Sequence, residues 1–129
     1  MTLIIGTQLN DTLTGGNKSD RIFGLAGNDN LSGLGGDDSL FGEDGNDTLN
    51  GNDGSDRLFG QNGIDRIDGG AGDDLILGGA GDDNVVGFPG LEGGAGNDTI
   101  LGEDGNDVIR GDIDPSGMAR AVSVKCLQE

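Results

Sequence analysis

A nine-residue period runs through most of this chain. The segment Gly69–Leu77, with the sequence GGAGDDLIL, is followed directly by Gly78–Val86, with the sequence GGAGDDNVV. Such units begin at every ninth residue from Gly6 onward, and after a break two more begin at Gly93 and Gly102, which gives eleven units. A fixed short period constrains the fold more than any local prediction does, because every unit must stack on its neighbours in the same way.

Two positions of the unit are constant in type. Counting the first glycine as position one, position six is aspartate and position eight is aliphatic in all eleven units. The position-six residues are Asp11, Asp20, Asp29, Asp38, Asp47, Asp56, Asp65, Asp74, Asp83, Asp98 and Asp107. The position-eight residues are Leu13, Ile22, Leu31, Leu40, Leu49, Leu58, Ile67, Ile76, Val85, Ile100 and Ile109. Positions one to six are typical of a turn, and positions seven to nine predict a three-residue strand with one side chain inside and two outside.

Two units are needed to close one coil. Turn, strand, turn and strand make a coil of 18 residues, and stacked coils form two parallel sheets that face each other. Position nine supports this longer period, because it is mostly polar in the odd units but apolar in the even ones. The apolar position-nine residues of the even units are Phe23, Phe41, Phe59, Leu77 and Leu101. The predicted fold is therefore all-β, a two-sheet parallel β-solenoid.

The period also divides the chain into segments. Residues 1–5 are an apolar lead-in that predicts a first strand, and residues 6–110 hold the repeats. A six-residue insertion at 87–92 leaves the alternation of position nine in phase, so we expect it to lengthen one turn without changing the strand order. Residues 111–129 lose the repeat. The alternation of apolar and polar residues at 122–126 predicts a strand in a C-terminal capping tail.

Composition argues against several classes of protein. A net charge of −17 disfavours nucleic acid as a partner, since phosphates would be repelled. The chain has no histidine, and its one cysteine, Cys126, cannot form an internal disulfide. No apolar run has the length of a membrane span, and the first residues do not resemble a cleaved signal peptide. Carboxylate pairs such as Asp73 and Asp74 recur along the chain, whereas an active site should be unique, so we expect no enzyme activity.

The acidic units require cations. One buried aliphatic residue in nine is too little burial to order the chain alone, and stacking brings the position-six carboxylates into columns where they repel. Oxygen ligands without histidine favour Ca²⁺, which takes about six to eight oxygens from carboxylates and carbonyls. If each ion joins a turn to the next turn on the same side, eleven turns allow at most 11 − 2 = 9 sites.

The repeated unit resembles the RTX, or haemolysin-type calcium-binding, nonapeptide repeat over residues 6–110. The resemblance implies a parallel β-roll with calcium ions between adjacent turns, ligated by the position-six aspartates, by turn carbonyls and by some position-five side chains. These position-five residues are Asn28, Asp37, Asn46, Asp73, Asp82, Asn97 and Asn106. The pattern departs at Leu9, Lys18 and Ile64, where we expect weaker calcium sites. The resemblance also implies a secreted bacterial protein, exported in a type I-like manner without a cleaved N-terminal signal peptide.

Three functions follow from the sequence. The first is a calcium-binding module whose folding is driven by calcium and which has a structural or secretion-associated role. The second is an accessory part of a secreted RTX enzyme or toxin, and the third is an adhesive or ice-binding solenoid. The apolar position-nine residues, beside Arg21 and Arg57, predict either a surface for protein contact or self-association, or a row covered by the tail or by neighbouring side chains.

Overall fold

The computed structural model describes residues 1–86, 98–106, 108–110 and 123–126. Every regular element in these ranges is a β-strand, so they contain no helix that could cross a membrane. The strands are β1 (Leu3–Ile5), β2 (Thr12–Thr14), β3 (Arg21–Ala26), β4 (Asn30–Gly35), β5 (Ser39–Asp44), β6 (Thr48–Asp53), β7 (Arg57–Asn62), β8 (Arg66–Ala71), β9 (Leu75–Ala80), β10 (Asn84–Val86), β11 (Thr99–Asp104), β12 (Val108–Arg110) and β13 (Ser123–Cys126).

The strands alternate between two parallel sheets. The odd-numbered strands form one sheet in chain order, here the odd sheet, and the even-numbered strands form the even sheet. Paired residues lie one coil apart, as Ile22 with Leu40 in the odd sheet and Leu31 with Leu49 in the even sheet. These pairs are 18 residues apart, which confirms the predicted coil and the two-sheet parallel β-solenoid.

Most strands are longer than predicted. Strand β3, for example, continues from positions seven to nine into positions one to three of the next unit. Pairing with β5 omits position one and resumes at position two, where Leu25 pairs with Glu43. Both residues have a left-handed backbone, with φ of 83° and 77°, which bends the strand toward the turn without ending it. The prediction of three-residue strands is therefore wrong for most units.

The core is built from the position-eight side chains. Ile22, Leu31, Leu40, Leu49, Leu58, Ile67, Ile76 and Ile100 are fully buried and form one cluster. Ile4 and Leu13 are partly buried and pack against this cluster at its N-terminal end. The neighbours at positions seven and nine are exposed or half-buried, which confirms the prediction of one side chain inside and two outside. The side chains of Val85 and Ile109 lie outside the described part of the structure.

The insertion and the tail leave the strand order intact. Thr99 of β11 pairs with Leu75 of β9, at an offset of 24 residues, which is one coil plus the six inserted residues. This confirms the predicted effect of the insertion on strand order. Strand β1 lies within the predicted lead-in and pairs with β3, and β13 lies within the predicted tail and pairs with β11. Residues 87–92 and most of 111–129 are outside the described residues, so the capping role and the segment boundaries stay predictions.

Candidate metal centre

The position-six aspartates form two buried columns, one on each side of the coils. Each of these aspartates ends a turn, directly before a strand whose position-eight side chain enters the core. From Asp20 to Asp98, the described members are at most 5% exposed. Asp11, in the first coil, is half-buried, and Asp107 lies outside the described residues. The fold therefore brings together the carboxylates that the sequence predicted as calcium ligands.

One oxygen of each carboxylate joins neighbouring coils. The backbone N–H of Asp29 donates to Oδ1 of Asp47 at 2.8 Å, and the N–H of Asp38 donates to Oδ1 of Asp56 at 2.7 Å. The same bond recurs along both columns, so each of these carboxylates reaches back to the preceding coil on its own side. This hydrogen bond fixes the orientation of the carboxylate and uses one of its two oxygens.

The second oxygen is buried without a hydrogen-bond partner in the described structure. This holds for Oδ2 of Asp29, Asp38, Asp47, Asp56, Asp65 and Asp74. Oδ2 lies close to the position-one glycine of its own unit, where a carbonyl oxygen of the next coil also approaches. A Cβ on Gly42, for example, would overlap Oδ2 of Asp47 and would lie 2.9 Å from the carbonyl oxygen of Gly60. A buried carboxylate oxygen without a donor is costly, so this arrangement calls for a cation or a proton.

A family model of the RTX calcium-binding nonapeptide repeat matches residues 5–40, 24–58, 32–67, 59–87 and 91–114. The chain belongs to the RTX calcium-binding repeat family. The match confirms the resemblance seen in the sequence, and with the two-sheet solenoid it shows a β-roll built from calcium-binding repeats. A repeat-only RTX β-roll is a structural fold rather than a catalytic one. Comparison with curated proteins gives no match.

The ligand types in the RTX columns fit calcium. No three acidic side chains converge on one point anywhere in the described ranges. An ion between two coils would therefore combine carboxylate oxygens with other oxygen ligands, such as the backbone carbonyls of the turns. Calcium accepts such mixed, irregular oxygen sets, whereas magnesium requires tighter octahedral geometry and loses its water reluctantly.

Burial raises the pKa of the central RTX aspartates. It raises the pKa of Asp56 to about 6 and the pKa values of Asp65 and Asp74 to about 7, with neighbouring carboxylates adding to the effect. Backbone hydrogen bonds oppose the shift but do not cancel it. At Asp20, near the N-terminal end, burial has the same direction, but hydrogen bonds to the carboxylate outweigh it and its pKa is lowered. Without metal, the middle of each column is therefore the most difficult part to keep charged.

These shifts predict that acid partly replaces calcium. The folded pKa values of Asp56, Asp65 and Asp74 lie above the ordinary value of about 3.9, so the folded chain holds protons more tightly than the unfolded chain. Their contribution to metal-free stability is complete below about pH 4 and is lost as the pH rises to about 7. Far-UV circular dichroism of calcium-stripped protein should show more β structure at pH 5 than at pH 8. A β signal that increases with pH would contradict the prediction.

The position-five side chains form a second ladder outside the columns. Oδ1 of Asn28 accepts the N–H of Asn46 at 2.9 Å, and Oδ1 of Asn46 accepts the N–H of Ile64 at 2.8 Å. Asp37 and Asp82 accept backbone N–H groups of the following coil in the same way. These side chains accept hydrogen bonds from the following coil, whereas the position-six carboxylates accept them from the preceding coil.

The structure thus places the predicted position-five ligands one residue before the columns, each on a turn. Asn28, Asp37, Asn46, Asp73, Asp82 and Asn106 are exposed or near the surface there. Asn97 lies outside the described residues. The hydrogen bonds between coils give several of these side chains a structural role that is independent of any ion.

Ile64 interrupts the position-five ladder. Its side chain is 58% exposed and has no acceptor to offer to the N–H of Asp82 in the next coil. We expect Ile64→Asn to restore the missing hydrogen bond and to stabilise the calcium-loaded protein by about 0.5–1.5 kcal/mol. Urea unfolding in saturating calcium measures this. Ile64→Ala is the control, because it removes the exposed apolar side chain without adding an acceptor, and equal stability of the two variants would contradict the prediction.

Sequence reasoning missed one half-buried acid outside the columns. Oδ1 of Asp68, at position nine of the even sheet, is also buried without a hydrogen-bond partner among the described residues. A signal was present, since Asp68 is the one acidic residue at position nine of any unit. Position nine was predicted to point outward, so a buried oxygen was not expected at Asp68.

Proposed function

We propose that this RTX chain is a module that folds when calcium ions bind between successive turns on both sides of the roll. One observation carries the proposal: six buried aspartates in two columns each hold an oxygen with no hydrogen-bond partner in the described structure. Bound calcium supplies the positive charge that lets these carboxylates stack. The aspartates, in turn, orient one oxygen by a backbone hydrogen bond and leave the other for the ion.

The residues that would hold the ions follow from the columns. The position-six set is Asp11, Asp29, Asp47, Asp65, Asp83 and Asp107 on one side and Asp20, Asp38, Asp56, Asp74 and Asp98 on the other. Turn carbonyls complete the ligands, with contributions from position five at Asn28, Asp37, Asn46, Asp73, Asp82, Asn97 and Asn106. At most nine inter-turn ions result, with the weakest sites in the turns that contain Leu9, Lys18 and Ile64.

The proposed setting is extracellular, with a structural or secretion-associated role. Its support is physical: a chain with a charge of −17 and a core of one residue per unit is poorly able to fold where calcium is scarce. The alternative, an accessory part of a secreted RTX enzyme or toxin, uses the same calcium-dependent folding. An ice-binding face has less support, because Thr12 and Thr48 are separated by Asn30 in the even sheet.

Circular dichroism during calcium titration tests the proposed function. Calcium-stripped protein at pH 8 should be largely disordered and should gain β signal cooperatively as calcium is added, because binding to the folded state alone shifts the equilibrium. Magnesium at the same concentrations is the control and should produce little signal. Equal β structure in excess chelator and in calcium would refute calcium-driven folding.

A second candidate function is self-association through the apolar row on the outer face of the odd sheet. We define this row as Phe23, Phe41, Phe59, Leu77 and Leu101, extended by Ile5, which pairs with Phe23. The phenylalanine rings stack on one another, with centroids 4.6 and 4.9 Å apart and nearly parallel planes. Neighbouring rings therefore cover part of the row, as one of the two sequence-based alternatives predicted, and the ring edges remain for a partner.

Charges on the two sides of the apolar row favour a second copy of this chain as that partner. Arg21 and Arg57 lie two residues before the row, whereas Glu43 and Glu103 lie two residues after it. A two-fold axis parallel to the row places the arginine side of one copy against the glutamate side of the other, with the apolar rows in contact. Six strands spaced about 4.8 Å apart make a small interface, so the dimer is weak and requires calcium to neutralise the columns.

Charge reversal tests this dimer in sedimentation equilibrium with saturating calcium. Glu43→Arg alone and the double variant Arg21→Glu/Arg57→Glu should each weaken association at least tenfold. The triple variant should restore it, because the opposite charges then meet again. A wild-type chain that stays monomeric at all concentrations, or a triple variant without recovery, would overturn the proposed pairing.

A further inference from the structure

The outer face of the even sheet contains a cavity of about 140 Å³ between β6 and β8. Its lining residues are Asn50, Asn52, Asp53, Asp68, Gly70 and Ala71. All four of the longer side chains end in a carboxylate or an amide. Arg66, two residues before Asp68 on β8, is outside the lining, but its charge partly offsets the rise that burial causes in the pKa of Asp68. The cavity lies on the face of a sheet, but its carboxylates are close enough to the columns to act on them: in addition to burial, the charge of Asp53 helps to raise the pKa of Asp56, and the charge of Asp68 helps to raise the pKa of Asp74.

Two residues of the same strand, Asp68 and Gly70, produce this cavity. Asp68 introduces a carboxylate at position nine, where the preceding strands of the even sheet have Thr14, Ser32 and Asn50. Gly70 then omits the position-two side chain that Asn52 supplies on the adjacent strand. Gly70 has φ of 96°, and a Cβ there would overlap the carbonyl oxygen of Asn52. An acid therefore stands next to a space that a side chain would otherwise fill.

The hydrogen bonds around the cavity leave acceptors in excess. Oδ1 of Asp68 is buried and has no hydrogen-bond partner in the described structure. Nδ2 of Asn52 donates to Oγ of Ser32 at 3.0 Å and to the carbonyl oxygen of Asn50 at 3.1 Å. Both amide hydrogens of Asn52 are thus used, and its Oδ1 is what it can offer to a ligand.

We propose that this cavity is a second kind of calcium site, with Asp68 as its charged ligand and with Asn50, Asn52 and Asp53 contributing oxygens. An all-oxygen set with room for water suits a hard cation. Oδ1 of Asp68 is shielded from solvent, so ligation through this oxygen requires the carboxylate to rotate about its terminal torsion, which is a soft one. With one half-buried carboxylate instead of a column of buried ones, the site fills at higher calcium concentration than the turns.

Nuclear magnetic resonance on the ¹⁵N-labelled full chain tests the site. After the calcium-induced folding transition is complete, further calcium should shift the amides of Asp68, Gly70 and Ala71 in a separate saturable phase. Asp68→Asn should fold normally but should need at least tenfold more calcium for that phase. Asp104→Asn, which removes an exposed acid on the odd sheet, is the matched control and should leave the phase unchanged.

The outcomes separate this site from the turn sites. Absence of the second phase in the wild type, an unchanged phase in Asp68→Asn, or the same shifts with sodium chloride at equal ionic strength would each overturn the Asp68 site. Folding that does not require calcium would overturn the proposed function, yet the shifts at Asp68 could still be measured. Failure of one proposal is therefore distinguishable from failure of the other.

Discussion

Gly45→Ala is expected to raise the calcium concentration needed for folding more than tenfold. Gly45, at position four, has φ of 134°, and a Cβ there would overlap the carbonyl oxygen of Gly27 in the preceding coil. The left-handed backbone alone costs about 1–2 kcal/mol for alanine. The overlap adds to this cost, because a Cβ has no torsion of its own and the atom that it meets is a backbone oxygen. No side-chain rotation can therefore relieve the overlap. We expect a total loss of at least about 3 kcal/mol, measured by urea unfolding in saturating calcium.

Gly35→Ala is the matched control for that prediction. A Cβ on Gly35 would lie 3.8 Å from its nearest neighbour, an ordinary contact, and the backbone is not left-handed. Its position in the repeat is position three, which is already alanine at Ala26, Ala71 and Ala80. Alanine there should be neutral or should stabilise by about 0.4–1 kcal/mol through the unfolded chain. Equal losses for Gly35→Ala and Gly45→Ala would contradict a steric cause.

The second large effect is expected at Asp56, with opposite signs in calcium and in chelator. Asparagine can keep the hydrogen bond from the N–H of Asp38 through its Oδ1, but it loses the negative charge at the buried second oxygen. In calcium, Asp56→Asn should weaken the affinity of the column at least tenfold, or about 1.4 kcal/mol. In chelator, it should leave the chain equally or more folded, because a carboxylate that burial disfavours is gone.

Calcium titrations monitored by circular dichroism, with matched chelator samples, measure both halves of this prediction. Asp104→Asn makes the same charge change at an exposed residue and should alter neither curve by more than a small amount. Destabilisation of Asp56→Asn by the same amount with and without calcium would mean that Asp56 acts through packing alone. It would then have no role as a ligand.

Much of the fold was predictable because the same pattern of residues recurs in every unit. Ile22, Leu40 and Leu58 recur at one position with aspartate two residues before each, so the core and the columns could be located by counting. The alternation at position nine showed that two units make a coil. The insertion was predictable for the same reason, since the alternation resumed in phase at Leu101.

The extent of the strands was not predictable from the same pattern. Position two has a left-handed backbone, which a glycine there would have indicated in the sequence. Leu25, Glu43 and Gln61 adopt this conformation although they are not glycines. The sequence therefore gives no sign of the bend at these residues, and the parallel pairing between coils maintains it. A turn inferred from glycine content alone therefore begins too early.

The amino-acid sequence alone determined the family, the period, the buried aliphatic column and the aspartates that need cations, because these depend on chemistry repeated within each unit. Only the tertiary structure decided which carboxylate oxygen is used by a hydrogen bond and which is left, as at Asp47 and Asp56. It also decided that Asp68 stands beside an open cavity. Both facts depend on the residue one coil away, and no local sequence pattern specifies the contacts made there.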